Sequence, residues 1–268
     1  ERFYIAASGT GYGISEKYGF LVSVDGGKTW QPRNNGLPTR TIYPYQNVQP
    51  RLLTSYGVDP LTPQRVAVTT AKNLYLSEDA GKTWRKIEIK KPIPHTVYLT
   101  AVALSPHDAN SLIVGTSFSG FFETKDRGQT WSCLSDSLSF LYKGAHFWEE
   151  ISAVVYHPED ADLIIFSCGF GQGLYQFNKT AKRAEKIILP ELDNTIIYNL
   201  HYYREMRREQ NTENTSSWLL QMDARYGTYL YELAGKRLVR AEIRQQQPEP
   251  PDKTILPRGK SWTRKSNG

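Results

Sequence analysis

Apolar residues in this chain come in short runs bounded by Pro, Gly, Asp or Ser, the pattern of brief strands closed by turns. One grammar repeats. Ser55-Tyr56-Gly57-Val58-Asp59-Pro60 leads to Arg65-Val66-Ala67-Val68-Thr69, then to Leu74-Tyr75-Leu76. Ala101-Val102-Ala103-Leu104-Ser105-Pro106 leads in the same way to Ser111-Leu112-Ile113-Val114-Gly115, then to Phe121-Phe122. Each unit predicts an apolar strand, a Pro-containing turn, a second strand, a Gly-containing loop and a third strand. No run approaches the roughly 18 residues of a membrane-spanning helix.

The third strand ends each time in the same turn. Ser23-Val24-Asp25-Gly26-Gly27-Lys28-Thr29-Trp30 returns as Ser77-Glu78-Asp79-Ala80-Gly81-Lys82-Thr83-Trp84, and again as Thr124-Lys125-Asp126-Arg127-Gly128-Gln129-Thr130-Trp131. An Asp opening a tight turn is expected to accept bonds from backbone N–H groups two or three residues on. The Gly two residues later adopts positive φ at no steric cost. The Trp then starts the returning strand and buries its ring against what precedes it.

Asp25, Asp79 and Asp126 are 54 and 47 residues apart, a spacing that suits four-stranded propeller blades. A fourth unit, Ala153–Pro158 with Asp162–Phe166, has lost the motif. Leu174-Tyr175 through Lys186-Ile187 follows Leu74-Tyr75 through Lys86-Ile87 at a constant offset of 100, with Lys179 in place of Asp79. A fifth unit runs from Ile196 to Arg240, and its first turn holds a polar insert, 204–214, expected to be a mobile solvated loop. The expectation is an all-β, five-bladed propeller over residues 1–243. A Pro/Gln-rich linker follows at 244–254, and 255–268 is a decayed closing hairpin or the start of a further module.

The three turns resemble the Asp-box, or BNR repeat, of sialidases, sortilin-type receptors, xyloglucan hydrolases and a photosystem assembly factor. That resemblance implies a propeller in which Asp25, Gly27, Trp30, Asp79, Gly81, Trp84, Asp126, Gly128 and Trp131 build turns rather than catalyse. It leaves activity open, because Asp-boxes occur in families of unrelated function. The Arg-Ile-Pro motif of sialidases is absent. Xyloglucan hydrolases place their cleft between two large propellers, and this chain has room for one.

In a four-stranded blade the 1–2 and 3–4 turns share one face. The 2–3 loops and blade-to-blade connections share the other, so a binding mouth is expected opposite the Asp-boxes. That side collects Tyr12, Tyr18, Lys72, Asn73, His95 and Tyr98. The ligand-binding candidates are Tyr45, Phe118, Tyr142, Phe147, Trp148, Phe170, Arg225 and Tyr226. Aromatic planes with charges nearby suit sugar rings, and peptides equally. The leading reading is therefore a non-catalytic propeller that recognises a glycan or a protein, an accessory domain of a larger exported or envelope protein. The alternative is a glycoside hydrolase using Glu149 and Asp223 as its acid/base pair.

Composition changes this picture little. The net charge of +6 is modest for 268 residues, and suits a solvated basic surface or docking to an anionic complex. No nucleic-acid signature accompanies it. Cys133 and Cys168 have neither metal-ligand spacing nor a disulfide framework and are expected as free thiols. His107 and His157 fall in the repeated Pro turns. No metal site, cofactor loop or nucleophile elbow is found, and the expected protein is a monomer without a cofactor.

Overall fold

The computed structural model describes residues 2–5, 11–15, 18–42, 47–50, 53–136, 138, 150–169, 173–192, 195–207, 215–234 and 237–241. Among them the chain forms five four-stranded antiparallel sheets and one two-stranded ribbon, arranged as a β-propeller. Blade 1 holds β1 (Arg2–Ile5), β2 (Gly11–Ser15), β3 (Gly19–Ser23) and β4 (Gln31–Pro32). The ribbon, β5 (Thr39–Ile42) with β6 (Asn47–Pro50), follows. Blade 2 holds β7 (Ser55–Val58), β8 (Val66–Thr69), β9 (Leu74–Ser77) and β10 (Arg85–Ile87). Blade 3 holds β11 (Leu99–Leu104), β12 (Leu112–Thr116), β13 (Phe121–Thr124) and β14 (Ser132–Cys133). Blade 4 holds β15 (Ile151–Tyr156), β16 (Leu163–Cys168), β17 (Leu174–Asn178) and β18 (Arg183–Ile187). Blade 5 holds β19 (Ile197–Arg207), β20 (Thr215–Ala224), β21 (Gly227–Ala234) and β22 (Arg237–Arg240). Strands neighbour one another in chain order within every blade.

Each blade is buried on both faces, so alternate residues feed different joints. In blade 3, Leu99, Val102 and Leu104 pack towards blade 2, while Ala101 and Ala103 pack towards blade 4. Leu99 and Ala101 point apart because a bulge at Thr100 breaks the register between them. The same bulge recurs at Ser152 and at Tyr198. The face towards the next blade must be shallow: a Cβ on Gly57 would lie 2.6 Å from the Val102 carbonyl oxygen. Phe20, Phe121 and Phe166 are completely buried in the joints. Burial of each contributes about 1.5–3 kcal/mol relative to exposure.

The three Asp-box turns are superimposable in their bonding. Ser23 Oγ donates to Asp25 Oδ1 at 2.8 Å and accepts from Gly27 N at 2.8 Å. Asp25 accepts from Thr29 N at 2.9 Å and Thr29 Oγ1 at 2.6 Å. Asp79 with Thr83 and Asp126 with Thr130 repeat the arrangement. The aspartate thus reaches as far as four residues on, while the preceding Ser or Thr hydroxyl takes the N–H two residues on. Positive φ extends to Ala80 and Arg127 as well as the Gly that follows each.

Hydrogen bonds from Thr29, side chain first, hold Asp25 down at about 2, and Thr130 does the same for Asp126. Desolvation works upward at Asp79, yet bonds from Thr83 and Ser77 bring it to about 2.

The Trp and Gly of a box grip the preceding blade. Trp84 Nε1 donates to Arg33 O at 2.9 Å and Trp131 Nε1 to Glu88 O at 3.4 Å, each the first residue after that blade's outer strand. A Cβ on Gly81 would meet Phe20 Cε1 at 2.7 Å, and one on Gly128 would overlap Ile87 Cγ2. Trp30, by contrast, donates to Gly27 O of its own turn and is only half-buried.

Blade 4 keeps the frame with different chemistry. Leu174 pairs with Ile187 as Leu74 pairs with Ile87, the expected offset of 100. Lys179 Nζ lies 3.2 Å from Oε1 of the buried Glu123 in blade 3, which also accepts from Tyr156 OH at 3.0 Å. Burial, then the charge of Glu123, raises the Tyr156 phenol well above its ordinary value, leaving it a donor.

The Pro turns also conserve geometry over chemistry. Asp59 Oδ1, Ser105 Oγ and His157 Nδ1 each accept from the backbone N–H groups two and three residues on. Two such bonds at His157 Nδ1 assign its proton to Nε2.

Two expectations change. The 204–214 insert is not a loop throughout. Strands β19 and β20 pair as far as Arg207 and Thr215, and Arg204 donates to Ser216 Oγ at 2.8–3.0 Å, with 208–214 outside the described residues. The connection holding Tyr43-Pro44-Tyr45 carries the β5–β6 ribbon, its turn 43–46 also outside them. Residues 242–268 lie outside them too. Cys133 and Cys168 are free thiols, and burial pushes Cys168 up to about 12.

Gly26 has open space around it, so Gly26→Ala should cost only the positive-φ strain, about 1–2 kcal/mol. Gly81→Ala adds the clash with Phe20 and should cost about 2–4 kcal/mol in urea unfolding. The depressed Asp-box pKa values contribute stability that is complete above about pH 4 and lost as pH falls towards 2. Thr130→Val should flatten part of that dependence, read by acid unfolding of Trp fluorescence.

Candidate functional site

Turn-to-turn bonds show which loops share a face in blades 2 to 4. Ala80 N donates to Gln64 O and Arg127 N to Asn110 O, joining 3–4 turns to 1–2 turns at the Asp-box end. At the other end, 2–3 loops bond to the blade-to-blade connections beside them. Leu99 N donates to Ala71 O, Ser117 N to Tyr98 O, and Arg225 N to Ile196 O.

Blades 2 and 3 build a braced aromatic corner at this mouth. Lys72 Nζ donates to the carbonyls of His95, Thr96 and Val97 at 2.9–3.1 Å, using all three of its protons. It also sits 4.4 Å from the Tyr98 ring centroid. Tyr98 N returns a bond to Ser117 Oγ at 3.1 Å, tying the Tyr98 loop to the loop that carries Phe118. The lysine is a brace, with no proton left for an anion. Tyr98 and Phe118 are 51% and 46% exposed, as are Tyr18 (48%) and Tyr226 (73%) on the same face.

Blade 5 builds a polar corner. Asp223 Oδ1 accepts from Gln221 Nε2 of its own strand at 3.0 Å and, across the β20–β21 hairpin, from Thr228 Oγ1 at 2.9 Å. Arg225 and Tyr226 form its turn, the guanidinium 5.7 Å from the ring centroid. A groove of about 560 Å³ begins at Tyr226 and Thr228 and runs past Tyr229 and Leu230 to Arg240. Behind it Glu191 holds Tyr231 OH at 2.5 Å and lies 3.7 Å from Arg240.

Of the predicted mouth residues, Phe118, Asp223, Arg225 and Tyr226 are described and stand on the expected face. Tyr45, Tyr142, Phe147, Trp148, Glu149 and Phe170 lie outside the described residues. Tyr12 does not belong to the mouth. It lies in β2, stacks 5.8 Å from Phe20 and donates to Pro63 O at 2.6 Å, so alternation sends it into the core.

Sequence reasoning missed the bulged residues Thr100, Ser152 and Tyr198 at the mouth ends of the inner strands. Their signal was a polar or half-polar side chain next to the first apolar residue of each strand. Thr100 Oγ1 donates to Ile151 O of the next blade at 2.8 Å. Among the described residues no group of three His, Cys, Asp or Glu side chains could hold a metal.

Residues 18–146 match the family model described as Sortilin, neurotensin receptor 3, a span that contains all three repeated turns. The chain is a β-propeller with Asp-box-type turns in three of its blades. No curated protein matches this propeller in sequence. Among solved structures, the GH74 enzyme of Niastella koreensis is 15% identical with a TM-score of 0.53, over 87% of this chain and 35% of its own. An ancestral GH74 enzyme gives 15% and 0.47, over 88% and 31%. YCF48 bound to D1 peptide gives 13% and 0.47, over 85% and 64%. The propeller spans about a third of the GH74 enzymes' length, and the likeness is one of fold. No helix among the described residues is long and apolar enough to cross a membrane.

Lys72→Met should loosen the Tyr98 corner. Hydrogen bonds from a charged donor contribute about 1.5–3 kcal/mol, so amide exchange at Leu99 and Ser117 should quicken about tenfold or more.

Proposed function

We propose that this protein is a non-catalytic binding propeller whose mouth recognises a carbohydrate, within an exported or envelope setting. One observation carries the reading. The four exposed aromatic side chains among the described residues, Tyr18, Tyr98, Phe118 and Tyr226, all stand on mouth-side loops. A pyranose presents C–H groups on its faces and hydroxyls at its edge. Flat exposed rings meet the first, and the Asp223–Thr228 corner meets the second. The two bonds Asp223 accepts fix the orientation of its carboxylate, which suits an acceptor for ligand hydroxyls. Hydrolysis would ask for a second carboxylate facing it across the sugar.

Tyr98→Ala, Phe118→Ala and Tyr226→Ala should each weaken binding to an oligosaccharide panel about five- to thirtyfold, the usual cost of truncating a central aromatic contact. Calorimetry against that panel reads it, with no reducing ends released. Binding that is confined to peptides and equally sensitive to these substitutions would transfer the mouth to a protein partner. Glycan binding indifferent to all three would refute it.

A further inference from the structure

Blade 5 carries a groove whose chemistry a neutral sugar alone would leave unused. It runs along the outer edge of β21, from Tyr226 at the mouth to Arg240 at the end of β22. Its volume of about 560 Å³ falls within the roughly 300–1,000 Å³ of clefts that hold small ligands. The groove exists because β22 covers only part of its neighbour. Arg240, the last residue of β22, pairs with Tyr231, whereas β21 begins at Gly227. Ala241 N donates to Leu230 O, so Leu230 turns its backbone polar groups towards this edge. Alternation turns those of Thr228 the same way, and among the described residues none pairs with them.

The charges around the groove form two layers. The carboxylates lie behind and are engaged. Asp223 is half-buried and accepts from Gln221 and Thr228. Glu191, its side chain 27% exposed, accepts from Tyr231 OH. The guanidiniums stand outside. The Arg240 side chain is 67% exposed and approaches Glu191 only to 3.7 Å, longer than a hydrogen bond. Arg225 is exposed, 5.7 Å from the ring centroid of Tyr226. Among the described residues neither guanidinium donates a hydrogen bond. Lys72, at the opposite corner, has all three of its protons committed. An anion arriving from solvent therefore meets available donors at blade 5 and none at Lys72.

We propose that this groove takes a hexuronate residue, a sugar whose C6 is a carboxylate, within an acidic polysaccharide. A guanidinium meets a carboxylate with paired N–H donors, a match that a hydroxyl cannot make. The Tyr226 ring offers a plane for the C–H face of the sugar. The open edge at Thr228 offers one backbone donor and one acceptor for its hydroxyls. The assignment rests on the carbohydrate reading of the mouth and adds charge to what that reading selects.

The test uses the full chain and calorimetry with tetramers of galacturonate, mannuronate and guluronate, each also as its uncharged methyl ester. At least one acid should bind about tenfold or more tighter than its ester, and more weakly as salt is added. Arg240→Gln should cut that preference about fivefold or more and leave ester binding unchanged. Arg225→Gln should act in the same direction, and serves alone if the first variant does not fold. Arg183→Gln removes a comparably exposed charge from blade 4 and should change neither probe. Equal binding of acid and ester, no binding of any acid, or a preference that survives both groove substitutions overturns the proposal. Tetraglutamate bound as tightly as the best acid, with the same dependence on Arg240, overturns it too and transfers the groove to acidic peptides. Neutral oligosaccharide binding that still depends on Tyr98 and Phe118 would then leave the mouth reading in place. Acid binding through Arg240 with no dependence on Tyr98 or Phe118 would retain the groove and remove the mouth.

Discussion

The structure depends on how closely one blade can approach the next. A sheet buried on both faces needs a neighbour on each side, and the fit is set where backbone meets ring. Gly81 admits the edge of Phe20, Gly128 admits Ile87, and Gly57 admits the Val102 carbonyl. Trp84 and Trp131 then cross the same joints to bond the carbonyl that ends the preceding blade. The Asp-box is therefore only half a turn-maker. Its Asp and Ser or Thr close the hairpin, and its Gly and Trp dock that hairpin onto another blade. This explains why five positions recur together, since closing a turn alone would not require the Trp.

That labour occupies one end of the ring. The Asp-boxes and the Pro turns are bonded to each other there, with polar groups committed to backbone partners. At the other end the loops are tied down individually, as Lys72 ties Tyr98, while the rings themselves stay outside. A rigid loop presenting an exposed aromatic loses little freedom on binding, which is what makes such a surface effective. The division follows from antiparallel order alone: once the boxes are 3–4 turns, the connections fall opposite.

The propeller was legible because its unit repeats, so a single strand that resembled nothing was rescued by its counterparts. Even the register of blade 4 followed from the offset of 100. What escaped were features that depend on a neighbour. Tyr12 reads as a mouth residue by position, and only alternation in β2 sends it inward. The bulges at Thr100, Ser152 and Tyr198 reverse the face of every residue after them, yet leave a single unremarkable residue in the sequence. The β5–β6 ribbon and the lengthened β19–β20 hairpin lack counterparts in other units, and without repetition polar character alone could not tell strand from loop. The mouth was legible as a face rather than as a site, because loops converge through the ring and not through the chain.

Blade 4 shows how far the joint can change its chemistry. The residue before the box Ser or Thr faces the next blade, as Val22 and Leu76 do in their clusters. In blade 3 that residue is Glu123, 2% exposed, and a buried carboxylate without partners would be expensive. The aspartate of a fourth Asp-box would stand at position 179, close to it, adding a second negative charge. Lys179 occurs there instead, bonds Glu123 at 3.2 Å, and Tyr156 OH supplies a further donor. Loss of the fourth box is thus not simple decay. Placing a carboxylate in the joint between blades 3 and 4 requires a cation where blades 1 to 3 carry an anion, and the turn is then closed by Asn178 Oδ1 accepting from Ala181 N.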